Sequence, residues 1–153
     1  MPILYSLDTS AILDGWVRHY PKSSFPGLWD KLADAIEDGR IRATEEVEKE
    51  LEKVDDDCLA WCKNQSNLFL KVDTQIQEKV IDILTTHPNL VEISSGRSAA
   101  DPFVIALAEL NSCTVITGEI SKPSKPRIPD VCIDRSVNWG NLLYLIKQEK
   151  WTF

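Results

Sequence analysis

The chain has 153 residues, 43% of them hydrophobic and 27% charged, the size of one globular domain that can bury a core without disulfides or a structural metal. No apolar run approaches the roughly 20 residues that cross a bilayer, and the N-terminus lacks the basic stretch and cleavage pattern of a signal peptide, so a single cytoplasmic domain over residues 1–153 is expected. The balance of 17 basic against 24 acidic residues gives a net charge of −7, a field that repels phosphate unless a local basic patch or divalent cations compensate it.

In chain order, Ile3 to Leu7 predicts a short buried strand between Pro2 and Asp8. A helix is expected from about Ser10, with Ile12, Leu13, Trp16 and Val17 at helical spacing until Tyr20 and Pro21 stop it. Leu28, Leu32, Ala35 and Ile36 form a second stripe with Gly39 as its C-terminal cap, and Arg40 to Ala43 reads as a small strand. Thr44 then opens one long helix, "TEEVEKELEKVDDDCLAWC", with Val47, Leu51, Val54 and Cys58 on one face. Further helices are expected at Thr74 to Thr86 and Ser98 to Asn111, with a brief extended segment at Leu90 to Ile93 between them. Thr114 to Thr117 is a β-branched strand closed by Gly118, Val131 to Ile133 reads as another strand, and Asn138 to Gln148 as the last helix. Strands alternating with helices predict an α/β fold, a three-layer α/β/α arrangement around a mostly parallel sheet, in which ligands collect at the carboxyl ends of the strands.

Cys58, Cys62, Cys113 and Cys132 contain no Cys-x-x-Cys pair and read as free thiols rather than a zinc site. His19 and His87 are remote from each other and from every cysteine in sequence, which disfavours Ser-His-Asp and Cys-His chemistry. The five tryptophans read mostly as core.

The carboxylates are more informative as a group than singly. Asp8 ends the first strand, Glu119 follows the strand at Thr114 to Thr117, and Asp101 starts the helix that leads into that strand; a parallel topology brings all three to one sheet edge. Glu50 stands at the border of the buried face of its helix, with Glu46 one turn earlier as its rival. Taken one at a time, Asp8 and Asp101 are also ordinary helix caps and Glu50 an ordinary surface residue. Several carboxylates in one cleft repel one another unless a cation compensates them, and an all-oxygen donor set suits Mg²⁺ or Mn²⁺.

"LDTSAIL", "TEEVEKEL", "SAADPFVIALA" and "VITGE", in this order, resemble the four acidic motifs of PIN-domain nucleases, particularly the VapC-like toxins of toxin–antitoxin pairs. The tail "RIPDVC", Arg127 to Cys132, resembles a PIN subfamily of otherwise undefined function. The resemblance implies a Mg²⁺- or Mn²⁺-dependent endoribonuclease with an RNA substrate, a cognate antitoxin partner and a homodimeric state. It further implies Asp8, Glu50, Asp101 and Glu119 as catalytic metal ligands, with Glu46 the alternative to Glu50 and Thr9, Ser10 and Thr117 as polar support around them. Glu119 replaces the more common Asp of a Thr-x-Asp pattern, which leaves direct contact with the metal and a role through water both open. Arg97, Lys122, Lys125 and Arg127 flank the acidic edge as candidate RNA contacts, a solvated loop being the plainer alternative. Three other readings stay beside this one: an RNA-processing nuclease outside toxin–antitoxin systems, a catalytically silent protein-binding domain, and a haloacid-dehalogenase-type phosphotransferase. Against the last, Ser10 stands where the second Asp of Asp-x-Asp would be.

Overall fold

The computed structural model describes residues 2–65, 67–91, 99–121 and 126–153. A five-stranded, all-parallel sheet in the order β3-β2-β1-β4-β5 runs through it, with eight α-helices around the sheet among the described residues. The strands are β1 (Tyr5–Leu7), β2 (Ile41–Thr44), β3 (Phe69–Leu70), β4 (Thr114–Ile116) and β5 (Trp139–Gly140). The helices are α1 (Thr9–Leu13), α2 (Pro26–Glu37), α3 (Glu45–Glu52), α4 (Asp56–Lys63), α5 (Thr74–Thr86), α6 (Asp101–Asn111), α7 (Ile128–Asp134) and α8 (Leu142–Gln148). This is the expected three-layer α/β arrangement, with β1 at its centre. Among the described residues no helix is long and apolar enough to cross a membrane.

The central strand sorts the layers. Leu7 faces Ala11, Ile12, Trp29, Leu32, Trp61 and Leu142, so α1, α2, α4 and α8 cover one face. Ser6 points the other way and donates to the carbonyl of Val104 at 2.7 Å, which places α6 on the opposite face. Trp16, Trp29 and Trp61 pack edge-on or tilted with ring centroids 4.9–6.3 Å apart, as expected of core tryptophans. The helix after β1 does not stay α-helical: from Asp14 to His19 it widens into a π-helix, with Tyr20 N–H bonding Gly15 C=O at 2.8 Å, before Pro21 ends it. Gly39, at φ 92°, closes α2 as expected.

Three expectations are corrected. The long helix from Thr44 is two helices: Asp55 breaks it by taking the N-cap of α4, its carboxylate accepting from Cys58 N–H at 2.9 Å, and Val54 is exposed rather than on a buried stripe. Val131 to Ile133 lies inside α7, where Pro129 occupies the first turn and Asp130 accepts from Arg127 N–H at 2.9 Å, so a segment with two β-branched residues has been placed in a helix by its start signals. The last helix begins at Leu142, capped by Asn141, because Trp139 and Gly140 are used as the edge strand β5. Leu90 and Val91 form a bend, and the rest of that expected extended segment lies outside the described residues. All four cysteines are free and buried.

Candidate functional site

At the carboxyl end of β1, Asp8 keeps an extended backbone (φ −93°, ψ 150°) before α1 begins, and its side chain makes no capping bond. The carboxylate is therefore available for something other than the helix end. It is 2% exposed, and two hydroxyls donate to the same oxygen: Ser10 Oγ at 2.5 Å and Thr117 Oγ1 at 2.9 Å, both to Oδ2. Each hydroxyl is oriented from behind by a backbone donor, Gly118 N–H to Ser10 Oγ at 2.8 Å and Glu119 N–H to Thr117 Oγ1 at 3.0 Å. A hydroxyl has one proton. With both protons committed to Asp8, the 3.1 Å approach of Ser10 Oγ to Thr117 Oγ1 is a contact within the cradle. Oδ1 of Asp8 takes no hydrogen bond among the described residues.

Burial pushes the Asp8 carboxyl up to about 7; the Ser10 and Thr117 hydrogen bonds oppose the shift, while the charges of Glu119 and Glu50 add to it. Glu119, just past β4, is also raised, mainly by burial and further by Glu50 and Asp130. Ile128 N–H, donating to its Oε2 at 3.1 Å, and the charge of Arg127 pull it back. Three of the four expected acids thus act on one another at a single sheet edge.

Glu50 reaches this edge from α3. Thr9 Oγ1 donates to its Oε1 at 2.7 Å, and Ala100 N–H approaches Oε2 at 3.4 Å. Glu46, the rival one turn earlier, is turned to Lys49 at 3.1 Å. Geometry joins Glu50 to the network and leaves Glu46 in a surface ion pair. Asp101 is the first residue of α6 rather than its cap, is 4% exposed, and follows the residue whose N–H meets Glu50. Thr9, Ser10 and Thr117 all bond to carboxylates, as expected of supporting hydroxyls. Of the basic candidates, Arg127 stands near enough to Glu119 to lower its pKa, whereas Arg97, Lys122 and Lys125 lie outside the described residues.

The donor set fits a hard divalent cation in its chemistry: buried carboxylate oxygens and mutual repulsion at Asp8, with no histidine, thiolate, arginine or lysine bonded to its carboxylate among the described residues. Among the described residues no group of three or more His, Cys, Asp or Glu side chains is gathered to hold an ion. Mg²⁺ commonly takes one or two direct carboxylates and fills its shell with water, so this arrangement suits a hydrated ion better than an all-protein cage.

Two further features were not anticipated. Asp14, on the π-helix, lies against Gly118: a Cβ on Gly118 would collide with Asp14 Oδ2 and stand 3.0 Å from the Ser10 carbonyl, so glycine lets the turn after β4 close onto α1. Its i, i+4 relation to Ser10 was the available signal. Thr44, at the end of β2, is fully buried, and its hydroxyl has no hydrogen-bond partner among the described residues.

No curated protein matches the chain. A family model described as a domain of unknown function, DUF4411, matches residues 5–153, from the first residue of β1 to the C-terminus. The matched span includes every carboxylate described above, and the chain belongs to the DUF4411 family.

Proposed function

We propose that this protein is a Mg²⁺- or Mn²⁺-dependent endoribonuclease of the PIN type, the toxin of a toxin–antitoxin pair. The observation that carries the reading is the state of Asp8: a carboxylate 2% exposed, cradled on one oxygen by Ser10 and Thr117, its pKa raised by burial and further by the charges of Glu119 and Glu50, with no cationic side chain paired to it among the described residues. Mutually repelling buried carboxylates are relieved by taking up a proton or by a bound cation, and once Asp8 is ionised a divalent cation is the compensation their oxygen chemistry selects. The ordered acidic motifs described above support the choice of nuclease over other metal-dependent chemistry.

When bound, a divalent ion supplies positive charge for a phosphodiester and lowers the pKa of the attacking water. The chain's own residues do the positioning. Ser10 and Thr117 fix the rotation of Asp8 through Oδ2, Thr9 holds Glu50, and Ile128 N–H holds Glu119. Arg127, beside Glu119, is the described cation placed to meet a phosphate of the RNA backbone. The phosphotransferase reading loses ground here, because Ser10 donates to Asp8 instead of serving as a second acid.

The test is cleavage of single-stranded RNA with Mg²⁺ or Mn²⁺, against EDTA and Asp8→Asn. Cleavage by wild type that both controls abolish is expected; equal cleavage in all samples overturns the proposal. Release of inhibition on removing a co-encoded partner protein would separate a toxin from a general RNA-processing nuclease.

A further inference from the structure

Where β2 turns into α3, a buried hydroxyl has nothing to bond. Thr44 is 0% exposed, and its Oγ1 has no hydrogen-bond partner among the described residues. Its position is the N-cap of α3, where a threonine oxygen ordinarily accepts an N–H from the first helical turn. The backbone is suitably extended (φ −82°, ψ 162°), yet that bond is not made. Buried hydroxyls are almost always paired, with protein or with ordered water.

Topology says where this hydroxyl is. β1 and β2 pair in parallel with Tyr5 opposite Ile41 and Ser6 opposite Arg42, so continuing the register by two residues sets Asp8 opposite Thr44. Paired positions of neighbouring strands present side chains to the same face, and Ser6 shows that face to be the one under α6. Both residues are the last extended position before a helix. Thr117 reaches Asp8 from β4, and the continued register places Thr44 on the β2 side of it. Two observations of different kinds, an unsatisfied buried hydroxyl and a register position beside Asp8, therefore coincide.

We propose that Thr44 is a positioning residue of the carboxylate site, its hydroxyl holding a water of the hydrated cation beside Asp8. This rests on the metal-dependent reading above. A threonine hydroxyl oxygen can accept from a water whose own oxygen faces the ion, and a group that orients a water between protein and ion typically changes metal affinity about 10- to 100-fold when removed. An idle hydroxyl would behave in the opposite way, since replacing an unsatisfied buried hydroxyl with a methyl of the same shape is neutral or stabilising and touches no ligand.

Calorimetric titration of Mn²⁺ into wild type, Thr44→Val and Thr44→Ser, with melting temperatures in EDTA, distinguishes these. Thr44→Val should bind Mn²⁺ about 10- to 100-fold more weakly while melting no lower than wild type without metal, and Thr44→Ser should keep wild-type affinity. Thr44→Ala serves the same comparison if valine is not accommodated. Unchanged affinity in Thr44→Val, or equal losses in the Val and Ser variants, overturns the assignment of the hydroxyl while leaving the metal site intact. Wild type that binds no Mn²⁺ removes the metal-dependent reading and this inference with it.

Discussion

Helix α6 joins two groups of carboxylates that are treated in opposite ways. Near its C-terminal end, Glu109 accepts from Arg135 Nε at 2.8 Å and from Nη2 at 3.1 Å, and the same guanidinium reaches Asp82 of α5 at 2.7 Å. Arg135 holds the Asp82 carboxyl below its ordinary range. At the N-terminal end of α6 lie Asp101 and, across the sheet edge, Asp8, whose carboxyl burial pushes up to about 7. One end satisfies its acids with a protein cation and ties α5, α6 and α7 together; the other surrounds its central acid with hydroxyls and further acids. Acidic residues are equally visible in the sequence at both ends, so what separates the two groups is the partner each acid is given.

The contrast breaks in predictable places. The largest effect is expected at Asp8: in EDTA, the carboxyl holds its proton in the folded state up to about 7 but loses it near the ordinary 3.8 when unfolded. Its folded pKa being raised, wild-type stability should fall as pH rises through that window, by up to on the order of 4 kcal/mol. Asp8→Asn should flatten the decline in urea unfolding measured from pH 4 to 8, and a mutant as pH-sensitive as wild type would contradict the burial argument. At the other end, Arg135→Met strands Glu109, which is 17% exposed at its side chain, and should cost about 1–3 kcal/mol of stability in the same assay without changing Mn²⁺ affinity.

Next comes Thr117→Val, which removes both a donor to Asp8 and the acceptor of Glu119 N–H; a loss of about 10- to 100-fold in cleavage at saturating Mn²⁺ is expected, with little loss of fold. The smallest effect sharpens the helix register. Glu50→Gln should weaken Mn²⁺ binding whereas Glu46→Gln should leave it unchanged, its ion pair with Lys49 being worth less than about 1 kcal/mol to stability. Reversed results would return Glu46 to the site.

Much of this was legible in the residues. The period of Ile76, Val80 and Ile83 located α5 at Thr74–Thr86, and alternation of strands and helices was enough to bring Asp8 and Glu119 to one edge, because a parallel sheet puts the ends of its strands together. The break after Glu52 was not legible as a break: the apolar spacing runs on from Leu51 to Cys58, and only Asp55, one of three consecutive aspartates, carries the cap. In α7, Val131 and Cys132 are buried while Ile133 is 63% exposed, a distribution that a three-residue run cannot reveal before Pro129 and Asp130 have set the helix. The hydroxyls around Asp8 were readable as residue types, but their division of labour depends on which backbone N–H stands behind each one. Thr44 shows the limit most clearly, since a threonine before a helix looks like a cap until its bond is found missing.

The most direct test of the central claim, that the acids at the end of β1 are compensated by a divalent cation, is the Mn²⁺-dependent shift in melting temperature at pH 8. A ligand that binds only the folded protein raises its melting temperature according to its affinity. The account predicts a concentration-dependent rise for wild type and for Arg135→Met, and none for Asp8→Asn. Equal shifts in wild type and Asp8→Asn would contradict it.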